Sequence, residues 1–297
     1  MSRSSADKRD IYYRLCAGIG YRARSAYKLL HLDEEFDLFR GVRVACDFCA
    51  APGSWSQVLS RKLRPAGKKD PAKIVSIDLQ PMAPLAGVTI LHADITVPST
   101  LNKMMDAMEE EKADLVVCDG APEVTGVHDL DAYLHAQLLL AALTLALPLL
   151  APGATLIFKI FLSPSDPTGE ILISQLEPFF SYPQKGDELI DDTLGNPYEE
   201  GGCEVKGYDR YGRRGGVWVR KPRSSRAGSA EHFLVCRNFN PDTLPPSFDF
   251  KSLSHSVQSL SLDSFSAGER TSKEDEEKER RWQVIKGYTI GDLDCGR

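Results

Sequence analysis

From residue 42 to residue 161 the chain alternates short apolar runs with stretches of helical periodicity, a pattern that few folds accept. The strand-length runs are VRVACDF (42–48), KIVSIDL (73–79), VTILHADI (88–95), ADLVVCDG (113–120) and ATLIFKIF (154–161), with GVWVR (216–220) and EHFLVCRNF (231–239) further on. Helical patterns occupy about 54–63, 99–111, 129–150 and 168–180, and another, 22–39, precedes the first strand. Strands that are apolar on both faces must be covered on both faces. The expected architecture is therefore α/β: a mainly parallel seven-stranded sheet between layers of helices. Ligands of such sheets settle at the carboxyl ends of the strands.

At 297 residues, 42% of them hydrophobic, the chain is long enough for one large core. That core is expected within residues 1–240. The Gly-rich, poorly periodic stretch 183–215 reads as an insertion, and 241–297 as a polar, flexible tail ending in a mixed-charge run. The formal charge of -6 conceals an asymmetry. Arg3, Lys8, Arg9, Arg14, Arg22, Arg24 and Lys28 face only Asp7 and Asp10 in the first thirty residues, a net of about +5. Seven scattered cysteines without a signal peptide fit reduced thiols in the cytosol or nucleus. Cys46 and Cys49 form a lone C-x-x-C with no second pair at metal spacing, and the six histidines show none either, so no metal is expected. The most apolar stretch, 130–150, contains Asp131, His135, Gln137 and Pro148 and reads as a core helix, not a membrane span.

The strand ends carry the chemistry. The first strand runs into DFCAAPGSWSQVLS, where small residues let backbone approach a ligand, Gly53 permits a strained turn, and a helix opened by Ser54 offers free N–H groups. Asp47 lies in this strand end; Asp78, Asp94 and Asp119 close the next three. Any one of them alone would read as a cap or turn residue. An acid after the second strand is placed to bind ribose hydroxyls, yet the G-x-G-x-x-G of nicotinamide dinucleotide sites is missing, as is a P-loop. A cofactor without a pyrophosphate, such as S-adenosylmethionine, relaxes the need for extra glycines.

The segments YRARSAYKL, DFCAAPGSWSQVLS, SIDLQPM, ADIT, CDGAPEVTGVHDLD, FKIF and KPRSSRAGSAEHFLVC resemble the FtsJ/RrmJ-type RNA ribose 2′-O-methyltransferases, most closely their eukaryotic cytoplasmic tRNA branch. The resemblance spans residues 6–240 apart from the insertion. It implies a Rossmann-like S-adenosylmethionine-dependent methyltransferase fold, with Gly53 and Trp55 against the methionine part of the cofactor, Asp78 on its ribose, Asp94 on its adenine, and Asp119 also among the cofactor-binding residues. It also implies a Lys-Asp-Lys-Glu catalytic set at Lys28, Asp119, Lys159 and Glu231. The substrate it implies is the tRNA anticodon loop, at the wobble nucleotide and the loop nucleotide two before it. Separate helical-repeat or beta-propeller partner proteins choose the site in related enzymes, and the expected location is the cytoplasm.

Lys159 sits inside TLIFKIFL, where a charge is out of place. Attack by a ribose 2′-hydroxyl on a methyl sulfonium needs a positioned base. A free lysine titrates near 10.4, and a useful basic lysine lies around 7 to 8, a bias of about 4 kcal/mol against the charged form. Apolar surroundings and a second ammonium from Lys28 favour that shift, while Asp119 and Glu231 oppose it. A lysine that merely snorkels to solvent or pairs with an acid is the plain alternative.

RNA contacts are expected from Lys8, Arg9, Arg14, Arg22 and Arg24 among Tyr12, Tyr13 and Tyr21, and from Lys206, Arg210, Arg213, Arg214, Arg220, Lys221, Arg223 and Arg226. Ser224 and Ser225 either touch phosphate or stabilise a turn. The competing readings are the same chemistry on ribosomal RNA, a non-catalytic RNA-binding scaffold if the insertion blocks the site, and, more remotely, a nicotinamide dehydrogenase.

Overall fold

The apolar runs form strands β1 (Val44–Phe48), β2 (Lys73–Asp78), β3 (Thr89–His92), β4 (Ala113–Cys118), β5 (Leu150–Phe161), β6 (Gly216–Arg220) and β7 (Glu231–Arg237). Helices α1 (Ile11–Ile19), α2 (Ala26–Phe36), α3 (Ser54–Leu63), α4 (Ser99–Ala107) and α5 (His128–Leu149) lie between or before them. The computed structural model describes residues 11–67, 69–121, 128–162, 173, 176–180, 216–226 and 228–243. The insertion at 183–215, its basic residues Lys206, Arg210, Arg213 and Arg214, the tail beyond Thr243 and most of the helix expected at 168–180 lie outside the described residues. Of that last stretch, Glu177–Phe179 forms a 3-10 turn.

The seven described strands make one sheet in the order β3-β2-β1-β4-β5-β7-β6. Strands β1 to β5 are parallel, whereas β7 runs antiparallel to β5 and β6 antiparallel to β7. Successive strands progress outward from β1 in one direction and from β4 in the other, so a topological switch point opens between β1 and β4. Each face has its own core. Phe48, Val75, Leu156 and Phe158 pack with α4 and α5 on one side; Leu29, Trp55, Leu59, Ile157 and Phe233 pack with α2 and α3 on the other. Complete burial of residues of this size stabilises by about 1.5–3 kcal/mol each, which is why β1 is buried along its whole length.

Some boundaries shift for local reasons. β3 stops at His92 because Asp94 turns the chain, its carboxylate accepting from Thr96 N (2.8 Å) and Thr96 Oγ1 (2.7 Å). Helix α1 falls in the basic leading segment, where the sequence reading sets no element. Its Ile11, Leu15 and Ile19 share one helical spacing yet stay exposed, and another face carries the contact, with Cys16 buried and Tyr12 packed against Tyr27 and His31 of α2. No described helix is long and apolar enough to cross a membrane.

The turn from β1 into α3 is the tightest part of the switch point. Cys49 is left-handed (φ 53°), the Ala51–Pro52 bond is cis, and Gly53 caps α3 at φ 99°. A Cβ on Gly53 would stand 2.5 Å from Arg22 Nη1 and 3.2 Å from Met82 Sδ. Gly53→Ala is therefore expected to lose about 1–2 kcal/mol of stability through the left-handed conformation, before any cost of moving Arg22. A urea melt with an unchanged midpoint would contradict this account of the turn.

Candidate active site

The register of the sheet settles why an apolar strand carries Lys159. Cys118 of β4 pairs with Phe158 of β5, so Asp119, the first residue past β4, comes level with Lys159. The Lys159 ammonium nitrogen donates to the Asp119 main-chain carbonyl at 2.7 Å and lies 3.2 Å from Asp119 Oδ1. Its side chain is 8% exposed, so it does not snorkel to solvent. Lys28 reaches the same place from α2. The apolar stripe of that helix, Ala26, Leu29, Leu32 and Phe36, faces the core, and Lys28 extends its amine over the Phe233 ring (5.5 Å). Lys28 Nζ is 2.6 Å from Glu231 Oε2 and 3.4 Å from Asp119 Oδ1. Glu231 opens β7; because β7 is antiparallel to β5, with Phe161 opposite Glu231, the first residue of β7 sits at the carboxyl edge of the parallel strands.

The result is a half-closed chain of alternating charge: Lys159, Asp119, Lys28, Glu231. Two cations and two anions, all largely buried, neutralise one another, as charges withdrawn from water must. Ser225 donates to Glu231 Oε1 at 2.9 Å. Burial raises the Glu231 carboxyl, but the charge and hydrogen bond of Lys28, the Ser225 hydrogen bond and the charge of Lys159 outweigh it and leave the group below its ordinary value. Ser225 thus orients an acid of the cluster, whereas the buried Ser224 hydroxyl has no hydrogen-bond partner among the described residues and its carbonyl accepts from Arg24.

The β1–α3 turn faces this cluster across the switch point. Asp78 holds the turn through Ala51 N (2.8 Å to Oδ2) and also accepts from Gln80 N (2.6 Å to Oδ1). Each carboxylate oxygen keeps a further lone pair for a ribose hydroxyl. Asp94 Oδ1 is occupied by Thr96, and Oδ2 accepts nothing among the described residues, which suits an exocyclic amine. Gly53 caps α3 without a side-chain bond, so the first N–H groups of the helix remain free for a carboxylate. Taken together, these donors and acceptors fit an amino-acid-bearing nucleoside such as S-adenosylmethionine.

Trp55 departs from what the resemblance implies for its side chain. The indole is 2% exposed, packs 5.5 Å from the Phe233 ring and donates Nε1–H to the Ser25 carbonyl at 2.8 Å. Only its main chain, in the first turn of α3, is left to meet a cofactor. Arg22 is likewise committed to structure: Nη1 donates to Pro52 O (2.9 Å), and Nη2 to Ala83 O and Pro84 O (both 3.0 Å). Arg220 pairs with Glu35 and Arg223 with Glu34, which joins α2 to β6 and to the β6–β7 connection, while Lys221 donates to Ser229 O within that connection. Cys46 and Cys49 part company. The first is buried beside Met108, the second sits against Cys118, and no described group of His, Cys, Asp or Glu is arranged to hold a metal.

Asp47 is the residue whose role sequence reasoning leaves undefined. It is fully buried in β1 and accepts from Ser56 Oγ at 2.6 Å, with Ser76 beyond (2.9 Å). Burial pushes its carboxyl up to about 7; the Ser56 hydrogen bonds oppose this and the charges of Asp119 and Asp78 add to it. The folded protein therefore holds a proton that the unfolded chain releases near pH 4, so this contribution to stability is complete below about pH 4 and is lost as pH rises through about 7. Asp47→Asn should remove a slope of up to about 1.4 kcal/mol per pH unit over that window. Unfolding curves at several pH values check it; parallel profiles for the two proteins would rule it out.

Comparisons with known proteins identify the family of the chain. Residues 21–183 match the FtsJ-like methyltransferase family. The chain is 47% identical over 241 residues to a human tRNA (cytidine(32)/guanosine(34)-2′-O)-methyltransferase, covering 81% of this chain and 61% of that protein. It is 46% identical over 246 residues to a protein of the same name from Schizosaccharomyces pombe, covering 81% of this chain and 73% of that one. A Plasmodium falciparum crystal structure described as a ribosomal RNA methyltransferase superposes with a TM-score of 0.53 at 23% identity, over 74% of this chain and 98% of that one, a likeness of fold. The chain thus spans about 61% of the length of its human relative.

Proposed function

The chain belongs to the FtsJ-like methyltransferase family, and on that premise we propose that it methylates ribose 2′-hydroxyls of the tRNA anticodon loop, at the cytidine 32 and guanosine 34 positions that its relatives' names carry. The observation that carries the chemistry is the alternation of Lys159, Asp119, Lys28 and Glu231 within hydrogen-bond or ion-pair distance. S-adenosylmethionine supplies an electrophilic methyl group when bound, and Gly53, the start of α3, Asp78 and Asp94 are the residues to hold it.

Lys159 acts as proton acceptor. To accept, the Lys159 ammonium of the charge chain first gives up its own proton to solvent, and the resulting amine has two N–H bonds and one lone pair. Asp119 offers two acceptors, its carbonyl at 2.7 Å and Oδ1 at 3.2 Å, which take both hydrogens and turn the lone pair toward the substrate side. Asp119 then stabilises the ammonium as the proton arrives. Lys28, tied to Glu231 at 2.6 Å, keeps the shared Asp119 carboxylate in place and presents positive charge near the oxygen that becomes anionic during attack. Ser225 positions Glu231. The β1–α3 turn, laced down by Arg22 and Asp78, brings the donor site to the same edge of the sheet.

The catalytic unit of this proposal is residues 1–240, and the reading includes a cytoplasmic location and a separate site-selecting protein of helical-repeat or beta-propeller type. Purified protein incubated with labelled methyl donor and unmodified tRNA, with and without cell extract, should methylate the ribose at positions 32 and 34, and activity only with extract would indicate the partner. Methylation appearing in ribosomal RNA instead would favour the alternative substrate. Lys159→Ala should bind the donor almost normally while transfer falls by about 100-fold or more, the worth of a general base. Undiminished transfer by that variant would remove Lys159 from the role.

A further inference from the structure

Phe161 ends β5 two residues beyond Lys159, and it is 44% exposed where Phe158 and Ile160 before it are buried. The Lys159 amine lies 5.9 Å from the centroid of this ring, so the exposed aromatic surface borders the place where a ribose hydroxyl would be deprotonated. Behind it, His135 of α5 meets the ring edge-on, with centroids 4.7 Å apart and planes at 61°. Both His135 ring nitrogens are buried without a hydrogen-bond partner among the described residues. Burial, and then the charge of Lys159, brings the imidazole down to about 4, so at neutral pH it is an uncharged ring that serves as packing. A large aromatic braced from behind, open in front and adjacent to a buried amine has no packing reason to stay uncovered.

We propose that Phe161, braced by His135, is the platform on which the base of the target nucleotide stacks while its ribose reaches Lys159. This rests on the methyltransferase reading and adds to it how the nucleotide is held. A hydroxyl in reach of the Lys159 amine leaves its own base close to the Phe161 ring. Stacking uses the π-face that every base has, so one platform accepts both a pyrimidine and a purine, as activity at a cytidine and a guanosine requires. Edge recognition in a fitted pocket would favour one over the other. The choice between nucleotides then falls to contacts elsewhere on the RNA.

The test uses the full chain carrying Phe161→Ala, Phe161→Leu or Phe161→Trp, assayed on unmodified tRNA in the extract-supplemented reaction. Alanine and leucine should lower kcat/KM by about 5- to 100-fold, the worth of one stacked base, while tryptophan stays within a few-fold of wild type. Donor binding should not change, because Gly53, Asp78 and Asp94 lie beyond β4 on the other side of the switch point; should alanine lower the thermal midpoint, the leucine and tryptophan variants keep an apolar side chain on His135. An anticodon stem-loop RNA with 2-aminopurine in place of the target base reads stacking without chemistry: its fluorescence should fall on binding wild type and the tryptophan variant, and not on binding the alanine variant. His135→Ala should weaken the quench, and His135→Phe should restore it. Wild-type transfer and quench in Phe161→Ala would overturn the platform while leaving the methyltransferase reading intact. Absence of transfer by the wild-type chain would count against that reading instead, and the quench would still decide the platform.

Discussion

The Asp119 carboxylate between two ammonium groups is the interaction around which the rest of the site is arranged. Lys159 approaches it at 3.2 Å along the sheet and Lys28 at 3.4 Å from a helix above, while Glu231 takes up the far side of Lys28. None of these groups has enough water around it to be stable alone, so each position depends on the other three. Four elements with no local connection, α2, β4, β5 and β7, are thereby held in one arrangement. The same mutual dependence keeps the charges close enough for a proton to be accepted and its charge shared.

A second set of interactions protects the approach to that cluster. Arg22 spans from the β1–α3 turn to the segment after β2, Asp78 grips the turn from below, and Gln57 joins α3 to the chain ahead of α2 by accepting from Arg22 N (2.7 Å) and donating to the Gly20 carbonyl (3.0 Å). The basic residues thus divide by task. Arg22, Arg220 and Arg223 are spent on holding elements together, and Arg24 ties the start of α2 to the loop that carries Ser225. A count of positive charge along the chain does not separate cations that build the surface from cations that meet RNA, because both leave the same composition.

Much of the fold is legible because its signals are local. The run 54–63 is a helix at those residues, begun directly after the left-handed Gly53, and GVWVR is a strand as written. β3 ends early because a single side chain, Asp94, bonds the backbone two residues on, a choice that apolar pattern does not register. Trp55 is a residue placed by the core rather than by the turn beside it. Its place beside the glycine turn suggests a ligand contact, but a helix turns successive side chains by about 100°, and the position of the core decided that this indole faces Phe233. α1 carries no clear apolar signal because its regularly spaced Ile11, Leu15 and Ile19 are the residues left exposed, while its contacts run through Tyr12 and Cys16.

By itself the sequence determined the sheet, the turn at its switch point and the residue types of the site, because apolar periodicity, glycine conformation and side-chain chemistry are properties of short segments. It did not determine which lysine meets which acid. Lys28 and Glu231 are 203 positions apart, and they touch because β7 reverses against β5 and sets its first residue beside the last residues of a parallel neighbour. The exposure of Phe161, the raised carboxyl of Asp47 and the neutral ring of His135 are likewise tertiary outcomes. Burial and charge proximity are sums over neighbours from distant parts of the chain, and only the folded arrangement supplies those neighbours.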